Sequence, residues 1–380
     1  MEENKKELPQ GITLRKDGRY MWRFKYNGQQ YTGYTKRLSD AKREMRNRRY
    51  EVEHGIYSKE QNLLFDAWFT EWLNTYKTAK CKASTLNFYR NTYSRYIKPV
   101  FGKKKVKDLK PEQIQRFVNA KAKEYSKSTA STINFLLFDS LQQAAHSRII
   151  SRNPMENTTP PKFQESEKKK ALSAEQQKIF LDAVKGSSYY SIYRAATLSG
   201  MRIGEALGLS WDDVDFLHEE IHITKTLCYT PEKGQYLDTP KTKASRRTIP
   251  MTSGLYELMK RRRADQKRQQ LQAGEYWKPK PGMEKLVFTT EAGTPHSASN
   301  IRRQMREAIR KLQKEGKDIP DFTFHTFRHC FATRAIEAGM DPKTLQALLG
   351  HTTFAMTMDL YCDVMEETKR KEMKKIEQAL

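Results

Sequence analysis

His325-Thr326-Phe327-Arg328, followed by Gly350-His351 and a lone Tyr361, brings together near the end of this chain the residue types that attack on a phosphodiester requires. An earlier stretch, Ser199-Gly200-Met201-Arg202-Ile203-Gly204-Glu205-Ala206-Leu207-Gly208-Leu209, supplies a second arginine. Arginines fork onto phosphate oxygens and neutralise developing charge. A tyrosine can form a covalent intermediate, and histidines move protons near neutral pH. Arg202 lies just before a helical pattern, where free N–H groups and the helix dipole favour anions. The plainer alternative is an Arg202–Glu205 pair on a helix surface.

Spacing places the remaining groups. His325 and Arg328 stand three apart on one helical face, in a helix expected to run to Ala338 and stop at Gly339. Asp341-Pro342 supplies an N-cap and a first-turn proline for a further helix ending near Gly350. His351 then falls just past a helix end, held without being buried, and Tyr361 follows a Thr- and Met-rich loop or short helix. His325 and His329, one turn apart, can be read with His351 as a metal site. Arg328 shares that face and would repel a cation, and no HExxH or paired carboxylate completes it, so no metal is expected. His329 is then a packing histidine. The segment Thr239-Pro240-Lys241-Thr242-Lys243-Ala244-Ser245-Arg246-Arg247-Thr248-Ile249-Pro250 enters a strand with four positive charges. A lysine there can protonate a leaving oxygen; equally, Lys243, Arg246 and Arg247 can be a basic turn on DNA backbone. No P-loop, GxGxxG, GxSxG elbow or two-metal acidic cluster is present, which argues against ATP-driven, serine-hydrolase and metal-nuclease chemistry.

Lys and Arg total 70 against 45 acidic residues, a net charge of +25, so a polyanion is the expected partner and double-stranded DNA the usual one. Cys81, Cys228, Cys330 and Cys362 are scattered, with no CxxC pair. Without a signal peptide or long apolar run, the expectation is a cytoplasmic protein, nucleoid-associated when on DNA, with no membrane contact.

At 380 residues more than one domain is expected. The pattern is mainly α with small β parts. Residues 1–57 read as an N-terminal three-stranded sheet plus helix. Gly11 to Leu14, Tyr20 to Tyr26 and Gln30 to Tyr34 are the strands, separated by the hairpin signals Asp17-Gly18 and Asn27-Gly28, and Ser39 or Asp40 caps a helix to about Glu53. Arg15, Lys16, Arg19, Tyr20, Trp22, Arg23 and Lys25 interleave basic and aromatic residues, favouring DNA contact over a packing or dimerisation module. Residues 61–155 read as helical: Phe65, Trp68, Phe69, Trp72 and Leu73, then Ile133, Leu136, Leu137, Leu141 and Ala145, recur at helical spacing. Lys77, Lys80, Lys82 and Arg90 would line the polar side against phosphates. Residues 156–170 form a linker. From 171 to 380 the pattern is mixed: Ile221 to Leu227, Arg246 to Pro250 and Leu286 to Thr290 look like strands, the first two pairing as an antiparallel hairpin around a turn-rich insertion.

The ordered set of Arg202 in its Ser-Gly-Met-Arg-Ile-Gly-Glu block, the Pro-Lys-Thr-Lys turn, His325-x-x-Arg328, Leu349-Gly350-His351 and Tyr361 resembles the tyrosine recombinase (phage integrase) family. The match is nearest to integrases of conjugative transposons and prophages. The resemblance implies an arm-type DNA-binding domain, a helical core-binding (SAM-like) domain and a mixed α+β catalytic domain with a C-terminal tail helix. It makes Tyr361 the nucleophile of a 3′-phosphotyrosyl intermediate, with Arg202 and Arg328 clamping the phosphate and Glu205 supporting the first arginine. Lys241, or Lys243, becomes the general acid; His325 assists proton transfer and His351 bonds the phosphate. No cofactor is implied. The implied activity is integration or excision of a mobile element, viral or conjugative, by a homotetramer on attachment-site DNA, with an excisionase or host DNA-bending protein as a further partner. The helical tail from Glu366 to Leu380 docks on a neighbouring protomer or on its own domain. A type IB topoisomerase and a non-enzymatic DNA-binding protein are the competing readings.

Overall fold

Asn27 and Gly28 both take positive φ (45° and 77°), the backbone that a two-residue hairpin needs. They join β2 (Tyr20–Tyr26) to β3 (Gln29–Thr35), and β1 (Ile12–Leu14) pairs on the other side of β2, all antiparallel. Alternation along β2 sends Trp22 and Phe24 toward α1 (Leu38–Glu53) and leaves Arg23 and Lys25 exposed. Trp22 is 3% exposed, its Nε1 donates to Glu44 Oε2 at 3.2 Å, and its indole lies across Gly33, where a Cβ would fall 2.3 Å from the ring. Trp22 is therefore core rather than a DNA contact, and Tyr20 is half-buried against the same cluster. Arg15, Lys16 and Arg19 are exposed, Arg19 pairing with Asp17. Helix α1 starts at Leu38, before the expected caps; Asp40 instead pairs with Arg43 at 2.9 Å.

The computed structural model describes residues 8–53, 62–161, 163, 171–240 and 245–361. Two compact units divide between Ser166 and Glu167. The first also contains α2 (Phe65–Trp72), α3 (Ala83–Thr92), α4 (Lys98–Phe101), α5 (Pro111–Glu124) and α6 (Lys127–His146). Helices α2 and α3 continue into π-helical turns, Leu73–Lys77 and Tyr93–Ile97. The aromatic stripe of α2 is buried with Ile133, Leu136, Leu137 and Leu141 of α6, and Phe69 stacks on Tyr93 at 3.8 Å. Each such apolar side chain contributes roughly 1.5–3 kcal/mol by leaving water. Lys77 does not stand free on the polar side: it pairs with Asp139 and lies over the Trp72 ring at 5.2 Å. Lys80 is exposed; Lys82 and Arg90 are half-buried.

The second unit opens with α7 (Ala174–Ala183), α8 (Tyr190–Ser199) and α9 (Ile203–Gly208). Strands β4 (Val214–Asp215), β5 (Glu220–Ile223), β6 (Thr226–Thr230), β7 (Gly234–Asp238) and β8 (Arg247–Pro250) follow. It continues with α10 (Ser253–Ala273), α11 (Ala298–Lys314), α12 (Phe324–Glu337), α13 (Pro342–Leu349) and a helical stretch over 354–361. Strands β5 and β8 pair antiparallel, Ile221 opposite Ile249, beside β4. The insertion between them holds a second hairpin, β6–β7. The apolar run Ile221 to Leu227 breaks because Thr224 and Lys225 both turn to Asp213, at 2.7 and 3.2 Å. Leu286 to Thr290 is not a strand; only isolated bridges occur there. Its carbonyls are taken by side chains of α10 instead: Gln266 donates to Leu286 O at 2.8 Å and Arg262 to Val287 O at 2.9 Å. Among the described residues no helix is long and apolar enough to cross a membrane.

Candidate active site

Gly200 ends α8 in the left-handed region (φ 66°), and a Cβ there would sit 2.9 Å from the Phe331 ring. The chain then runs extended to Arg202, which caps α9. Glu205, at the third position of α9, accepts the Arg202 backbone N–H at 2.9 Å and Arg202 Nη1 at 2.7 Å. Arg247 completes the carboxylate, donating Nη1 and Nη2 at 3.1 and 2.8 Å. Its side chain is 5% exposed. Arg247 is thus a buried partner of Glu205 and not a contact to DNA backbone, whereas Arg246 beside it is exposed. The small residues of α9 bring it close to β6: a Cβ on Gly208 would meet the backbone of Leu227 and Thr226 at 2.7 and 2.9 Å.

Helix α12 begins with Thr323 and Thr326 bonding reciprocally, which accounts for the threonine after His325. Arg328, one turn on and 2% exposed, donates to Gly200 O at 3.1 Å and to Leu349 O. Asp341 caps α13 through Thr344 N at 2.9 Å, and Gly350 closes that helix in the left-handed region (φ 64°). Arg202 Nη2 donates to Gly350 O at 3.3 Å, and Arg247 Nε to Leu348 O at 2.6 Å. Helix C-termini carry partial negative charge, so they suit guanidinium groups. His351 is buried, against expectation, because Thr357 Oγ1 lies 2.9 Å from its Nδ1. His325 is exposed, with the His329 ring edge-on at 4.8 Å.

Two guanidiniums, those of Arg202 and Arg247, therefore pair with one carboxylate, and the third, of Arg328, lies near enough to feel all three charges. Burial, then Arg202 and Arg247, push Arg328 down to about 9. Burial would raise the Glu205 carboxyl, but the bonds and charge of Arg247, with Arg202, hold it below the usual carboxylate range. Burial and then Arg328 and Arg202 push His351 down to about 4. His325 is also pushed down to about 4, by crowding protein atoms first and then by His329, Arg328 and Arg202, although water at its exposed edge softens this. The cluster is an excess of positive charge with neutral imidazoles beside it, an environment suited to an anion.

The structure thus brings Arg202, Glu205, Arg328, His325 and His351 together and adds Arg247. It does not turn Tyr361 into the group: the ring is 7% exposed among Ala332, Ala335, Leu345 and Leu349, and its hydroxyl donates to Met340 O. Burial, with the Asp341 charge, raises its pKa. Lys241, Lys243 and the Glu366 to Leu380 tail lie outside the described residues. The structural role of Arg247 had one signal in sequence: it stands two residues before buried Ile249, on the same strand face.

Comparison with known proteins places the chain in a family. The profile of the phage integrase family matches residues 170–368, and that of the phage integrase N-terminal SAM-like domain matches 64–122. A "tyrosine recombinase XerC-like" protein of Caldanaerobacter subterraneus subsp. tengcongensis is 29% identical over 360 residues, covering 90% of this chain and 89% of its own. The transposase of transposon Tn916 from Enterococcus faecalis is 28% identical over 296 residues, covering 73% of this chain and 69% of its own. Among solved structures, the Tn1549 transposon integrase in complex with transposon right end DNA superposes with a TM-score of 0.68 at 22% identity, covering 82% of this chain and 99% of that one. The lambda integrase tetramer bound to a Holliday junction gives 0.57 at 18% identity, covering 94% and 96%. With its profile matching more than half of the sequence, and with the arginine–histidine cluster lying inside the matched region, the chain belongs to the phage integrase family of tyrosine recombinases.

Proposed function

We propose that this tyrosine recombinase cuts and rejoins double-stranded DNA at the attachment sites of a mobile element, integrating and excising it through a tyrosyl–DNA intermediate. The observation that carries the reading is the anion-ready cluster: Arg202 and Arg328 are held by helix-end carbonyls beside a single carboxylate. Each guanidinium has five N–H donors, so these bonds leave donors for the non-bridging oxygens of a phosphate. His351 commits Nδ1 to Thr357, and its Nε2 bonds the phosphate. In the reaction Tyr361 Oη bonds to the scissile phosphorus while the bond to the 5′-oxygen breaks. The phenolic proton passes to neutral His325, and Lys241 protonates the departing oxygen, with Lys243 the alternative two residues on. A 5′-hydroxyl of the second DNA reverses the step, so the energy of the broken bond is kept in the protein–DNA link. For this, Tyr361 must leave the Met340 carbonyl, which ties cleavage to a movement of residues 354–361.

The relatives support the partners. The Tn1549 integrase was captured with transposon DNA and lambda integrase as a tetramer on a Holliday junction, so we assign this chain attachment-site DNA and a homotetramer on it. An excisionase or host DNA-bending protein is the further partner the reading assigns. The exposed Arg23 and Lys25 face of the N-terminal sheet contacts DNA arms. The test is a suicide-substrate assay on the DNA joining the ends of the chain's own element. Wild type should give a covalent band, insensitive to EDTA, that Tyr361→Phe lacks while still binding. A band that persists in Tyr361→Phe removes Tyr361 from its role; no band from either protein on DNA that both bind leaves a DNA-binding protein without the chemistry.

A further inference from the structure

The last turn of α13 shows a regularity: three consecutive carbonyls each accept from a different arginine. Leu348 O takes Arg247 Nε at 2.6 Å, Leu349 O takes Arg328 Nη2, and Gly350 O takes Arg202 Nη2 at 3.3 Å. Arg247 is the only one of the three that also forks onto Glu205 with both Nη atoms, and Glu205 is the carboxylate that fixes Arg202 through its side chain and its backbone N–H. Arg247 further donates to Ser245 O at 3.3 Å. It therefore joins β8, α9 and α13 at one point, with its side chain 5% exposed and its donors turned to protein acceptors.

We infer that Arg247 is a positioning residue for strand cleavage, acting through Glu205 and the end of α13 without touching the phosphate. Its planar fork sets the carboxylate that orients Arg202, and its Nε sets the Leu348 carbonyl, one residue before the carbonyls that hold Arg328 and Arg202. It also sets the approach to His351, which follows Gly350 directly. Lysine supplies the charge but neither the planar fork nor the geometry for three acceptors. Losing Arg247 leaves Glu205 with Arg202 alone, which frees Arg202 to tilt toward the carboxylate. A shift of about 1 Å in such a group costs about 100-fold in rate.

This rests on the recombinase reading, and the test separates the two. Full-length wild type, Arg247→Met, Arg247→Lys, Glu205→Gln and the Glu205→Gln/Arg247→Met double variant are compared on the same attachment-site suicide substrate. Single-turnover cleavage at saturating DNA, DNA affinity and thermal unfolding are measured for each. Arg247→Met should cleave about 100-fold more slowly at saturating DNA with its affinity unchanged, the signature of displaced reacting groups. Arg247→Lys should recover part of the rate. The double variant should be no slower than the slower single, because both act through one unit. Three results overturn the inference: wild-type cleavage by folded Arg247→Met, loss of affinity in step with rate, or independent multiplication of the two single effects. Should Arg247→Met fail to fold, Arg247→Lys and Glu205→Gln decide it: full wild-type cleavage at saturating DNA by Arg247→Lys refutes the fork. If wild type itself forms no covalent complex, the recombinase reading fails first.

Discussion

Replacing Gly208 by alanine tests whether the close seat of the β6–β7 hairpin on α9 matters to strand cleavage. A Cβ at this position would stand 2.7 Å from Leu227 N, 2.9 Å from the Thr226 carbonyl carbon and 3.0 Å from its Cα, all backbone atoms of β6 that cannot rotate away. The hairpin β6–β7 must therefore move off α9 by several tenths of an ångström. Overpacking of this kind costs roughly 1–3 kcal/mol, and the better helix propensity of alanine returns about 1 kcal/mol, so global stability should fall by no more than about 2 kcal/mol. The functional effect should be larger. Strand β7 ends at Asp238, shortly before Lys241, the general acid proposed above, so a moved hairpin should slow strand cleavage, on the order of 10- to 100-fold. Gly204→Ala is the internal control: its Cβ would meet the rotatable Thr226 Oγ1 at 2.5 Å and Leu227 O at 3.2 Å, so it should be milder. Cleavage of a suicide substrate and denaturant unfolding measure both. Gly208→Ala cleaving at the wild-type rate, or Gly204→Ala proving the more harmful, would refute the reasoning.

Three further outcomes follow from the same geometry. His296 is buried and pushed down to about 4, by burial first and then Arg262, from an unfolded value near 6.5. A depressed histidine contributes fully above the unfolded value, and about 3 kcal/mol is lost as pH falls from 6.5 to 4; His296→Gln should flatten the pH dependence of urea midpoints across that window, and parallel curves would exclude the effect. Arg23→Gln, on the exposed face of β2, should lower the slope of log affinity against log salt by about 1 without unfolding the module, whereas an unchanged slope would remove that face from DNA. Asp341→Ala removes the α13 cap and should cost about 1 kcal/mol in thermal or denaturant unfolding; no loss would mean that the cap adds nothing beyond tertiary packing.

Much of the local structure was legible in the sequence because its signals are stereochemical. Asn27-Gly28, Pro111, Gly339, Asp341-Pro342 and Gly350 each sit where their backbone preferences place them. Misreadings arose where a tertiary partner decides. Trp22 looks like part of a basic aromatic face until alternation with Phe24 and the seat on Gly33 bury it. Leu286 to Thr290 has the apolar character of a strand, but only the fold shows Arg262 and Gln266 taking its carbonyls. The candidate site was named by residue type and order, while its organisation was not. Arg247 is one more basic residue in a basic turn until Glu205 and Leu348 are seen around it. Nothing in the spacing of Tyr361 encodes that its hydroxyl rests on the Met340 carbonyl.

The central claim is that Tyr361 leaves that carbonyl to bond a DNA phosphate. Mass spectrometry of protease- and nuclease-digested covalent complex, formed on attachment-site DNA, tests it most directly. The account predicts one peptide carrying a 3′-linked nucleotide through Tyr361. A nucleotide on any other residue, or a 5′-linked one, would contradict it.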